Sequence, residues 1–105
     1  MKKIVRDGKV AVLYSPDYGA GWSTWNTELA TEFMFESTVV QFIEMEADDY
    51  TIQAYMKDTY GENACIMGLS TLAICWIPVG TKFRIDEYDG FESVKAYSED
   101  DWTIA

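Results

Sequence analysis

The sequence predicts an α+β domain: a single antiparallel sheet of five or six strands, with two or three helices packed on one face. Three observations predict it. Asp7-Gly8 and Asp89-Gly90 each stand between strand-like runs, and Asp-Gly favours the two-residue type I′ hairpin turn. Residues 27–60 carry apolar side chains at helical spacing. After Gly68 the period falls to two, with Leu72, Ile74 and Trp76 alternating with Thr71, Ala73 and Cys75. The chain has 105 residues, enough for one modest core, so residues 1–105 read as one domain.

Residues 2–6 and 9–14 form the first hairpin. The second strand, Val10 to Tyr14, is apolar on both faces, which places it centrally in the sheet. Ser15-Pro16-Asp17 breaks the chain before a glycine-rich loop. Asn26 suits the N-cap of a helix running to about Glu36, with Leu29, Ala30 and Phe33 on its inner face. Ser37 or Thr38 caps a second helix, with Val39, Phe42 and Ile43 inside. Asp48-Asp49 opens a third, carrying Ile52, Tyr55, Met56 and Thr59, and Gly61 ends it. Strands follow over residues 72–79, 81–88 and 91–97. Residues 102–105 add a short edge strand.

The net charge is −10, and it is unevenly spread. Lys2, Lys3, Arg6 and Lys9 lie in the first nine positions, and Lys82, Arg84 and Lys95 near the other end. Between Val10 and Thr81 the only base is Lys57. Such a surface repels nucleic acid. It has two readings: plain solubility, or imitation of DNA phosphates by a protein that occupies a basic groove on its partner. No apolar run approaches the roughly 18–20 residues of a membrane span. Lys2 and Lys3 are not followed by the apolar stretch of a signal peptide. These features point to the cytoplasm, where Cys65 and Cys75 stay reduced. With no histidine, Ser-His-Asp and Cys-His catalysis and His-ligated metal sites are excluded. The expectation is a non-enzyme without metal or cofactor.

The loop over residues 18–26 reads Tyr-Gly-Ala-Gly-Trp-Ser-Thr-Trp-Asn. Its Gly19 and Gly21 let backbone approach a ligand, and Trp22 and Trp25 offer stacking faces. Ser23, Thr24 and Asn26 add polar groups at a helix start, where unpaired N–H groups suit an anion. The candidate ligand residues are Tyr18, Gly19, Gly21, Trp22, Ser23, Thr24, Trp25 and Asn26. The other reading makes Trp22 and Trp25 core residues, the glycines turn formers, and Ser23 and Thr24 caps. Thr24 stands where a dinucleotide fingerprint would put its third glycine.

Counting outward from Asp89-Gly90 sets the register of the last hairpin. Tyr88 faces Phe91, Glu87 faces Glu92, Asp86 faces Ser93, Ile85 faces Val94, Arg84 faces Lys95, and Lys82 faces Tyr97. Phe83, Ile85, Val94 and Ala96 then share the core face. Lys82, Arg84 and Lys95 share the other. Three bases on one patch suit a phosphate or carboxylate, unless Asp86 neutralises them. Glu87 and Glu92 fall on the core-face parity at the sheet's end, where solvent exposure beside the turn is expected. Glu87 and Asp89 would accept hydrogen bonds from a ligand. As a pair, Glu87 and Glu92 suit a divalent cation or acid–base work.

Four blocks carry a resemblance: Lys9-Val-Ala-Val-Leu-Tyr-Ser-Pro16, the loop to Asn26, Trp76-Ile-Pro-Val-Gly-Thr-Lys-Phe-Arg-Ile85 and Glu87-Tyr-Asp-Gly-Phe-Glu-Ser93. Together they resemble a family of small phage and prophage proteins. The resemblance implies a viral setting and an accessory role against host systems; it carries no mechanism. Three functions are then expected. The first is sequestration of a small anionic, nucleotide-like signal by the loop, with Lys82, Arg84 and Lys95 on its phosphates. The second is an acidic, DNA-mimic-like inhibitor of a host defence protein. The third is a small enzyme using Glu87 and Glu92. An edge strand and many aromatics also suit self-association, with the site shared between copies.

Overall fold

The computed structural model describes residues 2–17, 19, 21–62, 64–96 and 103–104. The chain is α+β. Its strands are β1 (Val5–Arg6), β2 (Lys9–Tyr14), β3 (Ala73–Pro78), β4 (Lys82–Tyr88), β5 (Phe91–Ala96) and β6 (Thr103–Ile104). Its helices are α1 (Ala30–Met34), α2 (Ser37–Glu44) and α3 (Asp49–Tyr60).

Both Asp-Gly turns have positive φ at both residues, Asp7 at 51° and Gly8 at 74°, Asp89 at 51° and Gly90 at 86°, as a type I′ turn requires. The β4–β5 register runs from Tyr88↔Phe91 to Phe83↔Ala96, including Glu87↔Glu92 and Arg84↔Lys95. This is the register counted from the turn. The expected pairing of Lys82 with Tyr97 lies outside the described residues, as do Trp102 and Ala105 at the ends of the last strand. The core of that strand, β6, pairs with β4.

Among the described residues, the single sheet is corrected to two sheets of three strands, ordered β1-β2-β3 and β5-β4-β6. β2 is the reason. Its two faces are both apolar, and both need cover. Ala11 and Leu13 face a core with Trp22, Phe33, Val39, Val40, Ile52, Met56 and Leu72, supplied by the helices and the loop. Val10 and Val12 face a second core with Phe35, Ile77 and Phe83. Helices on one face alone would leave Val10 and Val12 in water. Instead the chain turns a corner after β3, where Thr81 N donates to Pro78 O and Gly80 has φ 86°. β4 and β5 thereby cross to the uncovered face. Phe83 is fully buried there, edge-on to Phe35 at 6.0 Å. Burying such side chains contributes roughly 1.5–3 kcal/mol each.

The first helix is shorter than expected, the second is capped one residue before the expected Ser37 or Thr38, and the third is as expected. The helix foreseen from Asn26 to Glu36 is two 3-10 turns, Ser23–Trp25 and Thr27–Leu29, followed by the five-residue α1. Asn26 makes no side-chain cap. α2 is capped by the buried Glu36, whose Oε2 accepts from the amides of Thr38 and Val39. Its Oε1 accepts from the hydroxyls of Tyr55 and Tyr60, at 2.8 and 2.9 Å. Burial, then the bond to Glu36, pushes the Tyr60 hydroxyl well above the usual phenol range. α3 begins at Asp48, whose carboxylate accepts from the amide and hydroxyl of Thr51, and ends at Gly61 with φ 83°. The bonds from Thr51 hold Asp48 below the usual carboxylate range.

Candidate functional site

β2 ends at Tyr14, and the chain from Ser15 onward runs back beside the β4–β5 hairpin. Glu92 N donates to Ser15 O at 2.7 Å, and Gly19 N donates to Asp89 O at 2.5 Å. The loop is thus pinned along the hairpin, which fixes where each of its side chains points.

Glu92 is the centre of this junction. It is fully buried, a rare state for a carboxylate unless its oxygens are satisfied. Oε1 accepts from Ser15 N at 2.8 Å. Oε2 accepts from Trp22 N at 2.8 Å, Thr24 N at 3.1 Å and Thr24 Oγ1 at 2.5 Å. Two expectations are corrected here. Glu92 is not solvent-exposed beside Glu87. And the loop amides expected to cradle an external anion are already bound to an internal one. The physical reason is economy of donors: a curled backbone presents several N–H groups inward, and strand parity aims the Glu92 side chain at them.

The other loop residues follow from this anchor. Trp22 is buried, donates from Nε1 to Phe33 O at 2.7 Å, and packs on the Phe33 ring at 4.8 Å. It is a core residue, not a stacking platform. Asn26 is buried and ties two segments together. Its Nδ2 donates to Trp22 O and Cys65 O, while Oδ1 accepts from Cys65 N at 2.6 Å. Ser23 is buried, and its Oγ has no hydrogen-bond partner among the described residues. Gly21 is buried beneath Trp25. A Cβ there would fall 2.5 Å from the indole Cδ1, so glycine lets the ring lie down on the backbone. Trp25 keeps 36% of its surface exposed, and its Nε1 reaches toward Glu87 Oε2 at 3.5 Å. Glu87 also closes the turn by accepting from Gly90 N at 2.6 Å. Beside Trp25 lies a cleft of about 200 Å³ lined by Asn26, Thr27, Glu28 and Leu29. Tyr18 lies outside the described residues.

The structure therefore brings Gly19, Gly21, Trp22, Ser23, Thr24, Trp25, Asn26, Glu87 and Asp89 into one junction. It does not bring Lys82, Arg84 and Lys95 there. Strand alternation sets those three on the opposite face of the hairpin from Glu87 and Glu92. Arg84 is also committed: its Nε donates to Asp86 Oδ1 at 2.7 Å. A ligand in the loop would meet Glu28, Glu87 and Asp89 rather than these bases.

The acids Glu44, Glu46, Asp48 and Asp49 mark the turn between α2 and α3 in the sequence as a charge run, but its backbone is not legible there. Here Glu46 has φ 57°, a left-handed conformation ordinarily given to glycine. Ala47 N donates to Phe42 O and Glu46 N to Ile43 O, the two bonds of a Schellman motif. Around it Met45 is 73% exposed and Tyr50 78% exposed. Of the four acids Glu44, Glu46, Asp48 and Asp49, Glu44 binds Arg6 through both carboxylate oxygens and Asp48 caps α3. Glu46 and Asp49 are exposed. Among the described residues, no group of three or more Asp, Glu or Cys side chains is arranged to hold a metal. Cys65 and Cys75 are free thiols, and burial pushes Cys75 above the ordinary thiol value. No helix among the described residues is long and apolar enough to cross a membrane. No protein-family model, curated protein or solved structure matches the chain.

Proposed function

We propose that this protein acts by binding another protein, docking its acidic α2–α3 turn on a basic surface. One observation carries the reading: Met45 and Tyr50 stand exposed on a turn flanked by Glu46 and Asp49, with Glu46 held in a strained left-handed conformation. An exposed aromatic and a thioether among carboxylates combine an apolar anchor with electrostatic steering. Strained backbone of this kind gathers at functional sites as well as at helix ends. The net charge of −10 extends the same field over the molecule. Taken with the resemblance to phage and prophage proteins, the partner is a host protein with a basic groove, and the chain is its inhibitor.

The test is a tagged-chain capture from host lysate, followed by calorimetry on the identified partner. Affinity should fall steeply as salt rises. The triple variant Glu46→Gln, Asp49→Asn, Tyr50→Ala should lose the complex at an unchanged melting temperature. A complex indifferent to both salt and these substitutions would overturn the reading.

A second reading keeps a small ligand at the loop, as a sequestered signal. The half-open Trp25 indole and its cleft favour it. The ligand would stack on Trp25 and give hydrogen bonds to Glu87 and Asp89.

A further inference from the structure

We propose that a cleft at the turn end of the first sheet binds a small anion built on a planar aromatic ring. The cleft is lined by Arg6, Asp7, Lys9, Glu44 and Trp76 and encloses about 420 Å³. Small-molecule sites hold roughly 300–1,000 Å³. The residues reach it from three elements. Arg6 and Lys9 are directly paired across the β1–β2 hairpin, so both side chains leave the same face. Trp76 opposes Ala11 on β3 and therefore shares that face. Glu44 closes the cleft from the last turn of α2.

The chemistry of the lining is specific. The Arg6 guanidinium lies over the Trp76 ring, its central carbon 5.6 Å from the ring centroid. Both its terminal nitrogens donate to the Glu44 carboxylate. Side chain and ring thus lie against each other before any ligand arrives. Glu44 uses two of the five guanidinium hydrogens, and the rest remain for a second acceptor. Lys9 adds a mobile ammonium beside it. A planar ring stacks on the outer face of the guanidinium, with Trp76 beneath it, as such cations favour. Its anionic group meets Lys9 and the remaining Arg6 hydrogens. Asp7 and Glu44 select a ligand that carries a donor on its other edge. This cleft adjoins the docking turn through Glu44 but uses none of Glu46, Asp49 and Tyr50, so the two proposals fail separately.

Two sources supply a ring bearing an anion: a nucleotide and an aromatic acid. Calorimetric titrations with adenosine monophosphate, benzoate and inorganic phosphate distinguish them. Saturable binding is expected from one of the two ring-bearing probes and not from phosphate at equal concentration. Arg6→Gln and Lys9→Gln should each weaken it about tenfold or more, with circular dichroism and melting unchanged, since an exposed ion pair contributes little to stability. Trp76→Phe should retain binding more weakly. The proposal is overturned if neither ring-bearing probe binds, if phosphate binds as tightly, or if both charge variants bind like the parent chain.

Discussion

Glu92 holds four donors on two oxygens in a site closed to water. Hydrogen bonds to a charged acceptor contribute about 1.5–3 kcal/mol each, and removing the acceptor strands the donors. Glu92→Gln keeps the shape but sets an NH₂ against N–H groups. We expect it to cost about 2–3 kcal/mol, read as a lower urea midpoint at an unchanged slope. The residue was half legible in the sequence. Counting from Asp89-Gly90 put it on the inward parity, which is where it lies. Its burial was not legible, because a glutamate opposite Glu87 at a sheet's end looks solvated. What reversed that reading is a backbone curl 68 to 77 residues earlier in the chain, and no local pattern announces such a partner. Trp22 and Asn26 teach the same lesson: their residue types suited a ligand, and the core and a neighbouring loop claimed them.

At the scale of the element, the α2–α3 turn combines a regular motif with an irregular residue. The Schellman bonds are those of an ordinary helix end, but position C′ holds Glu46 instead of glycine. Left-handed backbone costs a side-chain-bearing residue about 1–2 kcal/mol, partly offset by glycine's larger entropy when unfolded. Glu46→Gly should therefore stabilise the chain by about 0.5–1 kcal/mol, measured by thermal or urea unfolding, while weakening the proposed complex. A fall in stability on this substitution would mean that the turn is not strained. The helices flanking this turn were legible from spacing: Asp48 and Gly61 bound α3 as their residue types foretell. The first helix was not. Its sequence has the spacing, but Trp22 and Asn26 are held by Phe33 and Cys65, and those bonds bend the chain into 3-10 turns.

For the whole molecule, the decisive fact is that β2 is apolar on both faces. The sequence showed this, and centrality in a sheet was the right inference. A second sheet as the cover for one of those faces was not inferred, because the Pro78–Thr81 corner reads equally as a hairpin turn. The fold that results has helices on one side of the first sheet and the β4–β5 hairpin on the other. Glu92 ties the loop to that hairpin, so the loop belongs to the body of the molecule, which leaves the charged surface for the partner we propose. That placement of the loop is what separates the docking reading from a ligand held by the loop. Amide hydrogen exchange at Ser15, Trp22 and Thr24 tests it most directly. The account predicts protection approaching that of global unfolding at all three amides, as for core strands. Exchange at the rate of an open surface loop would contradict it, and would return the loop to the role of an unfilled anion cradle.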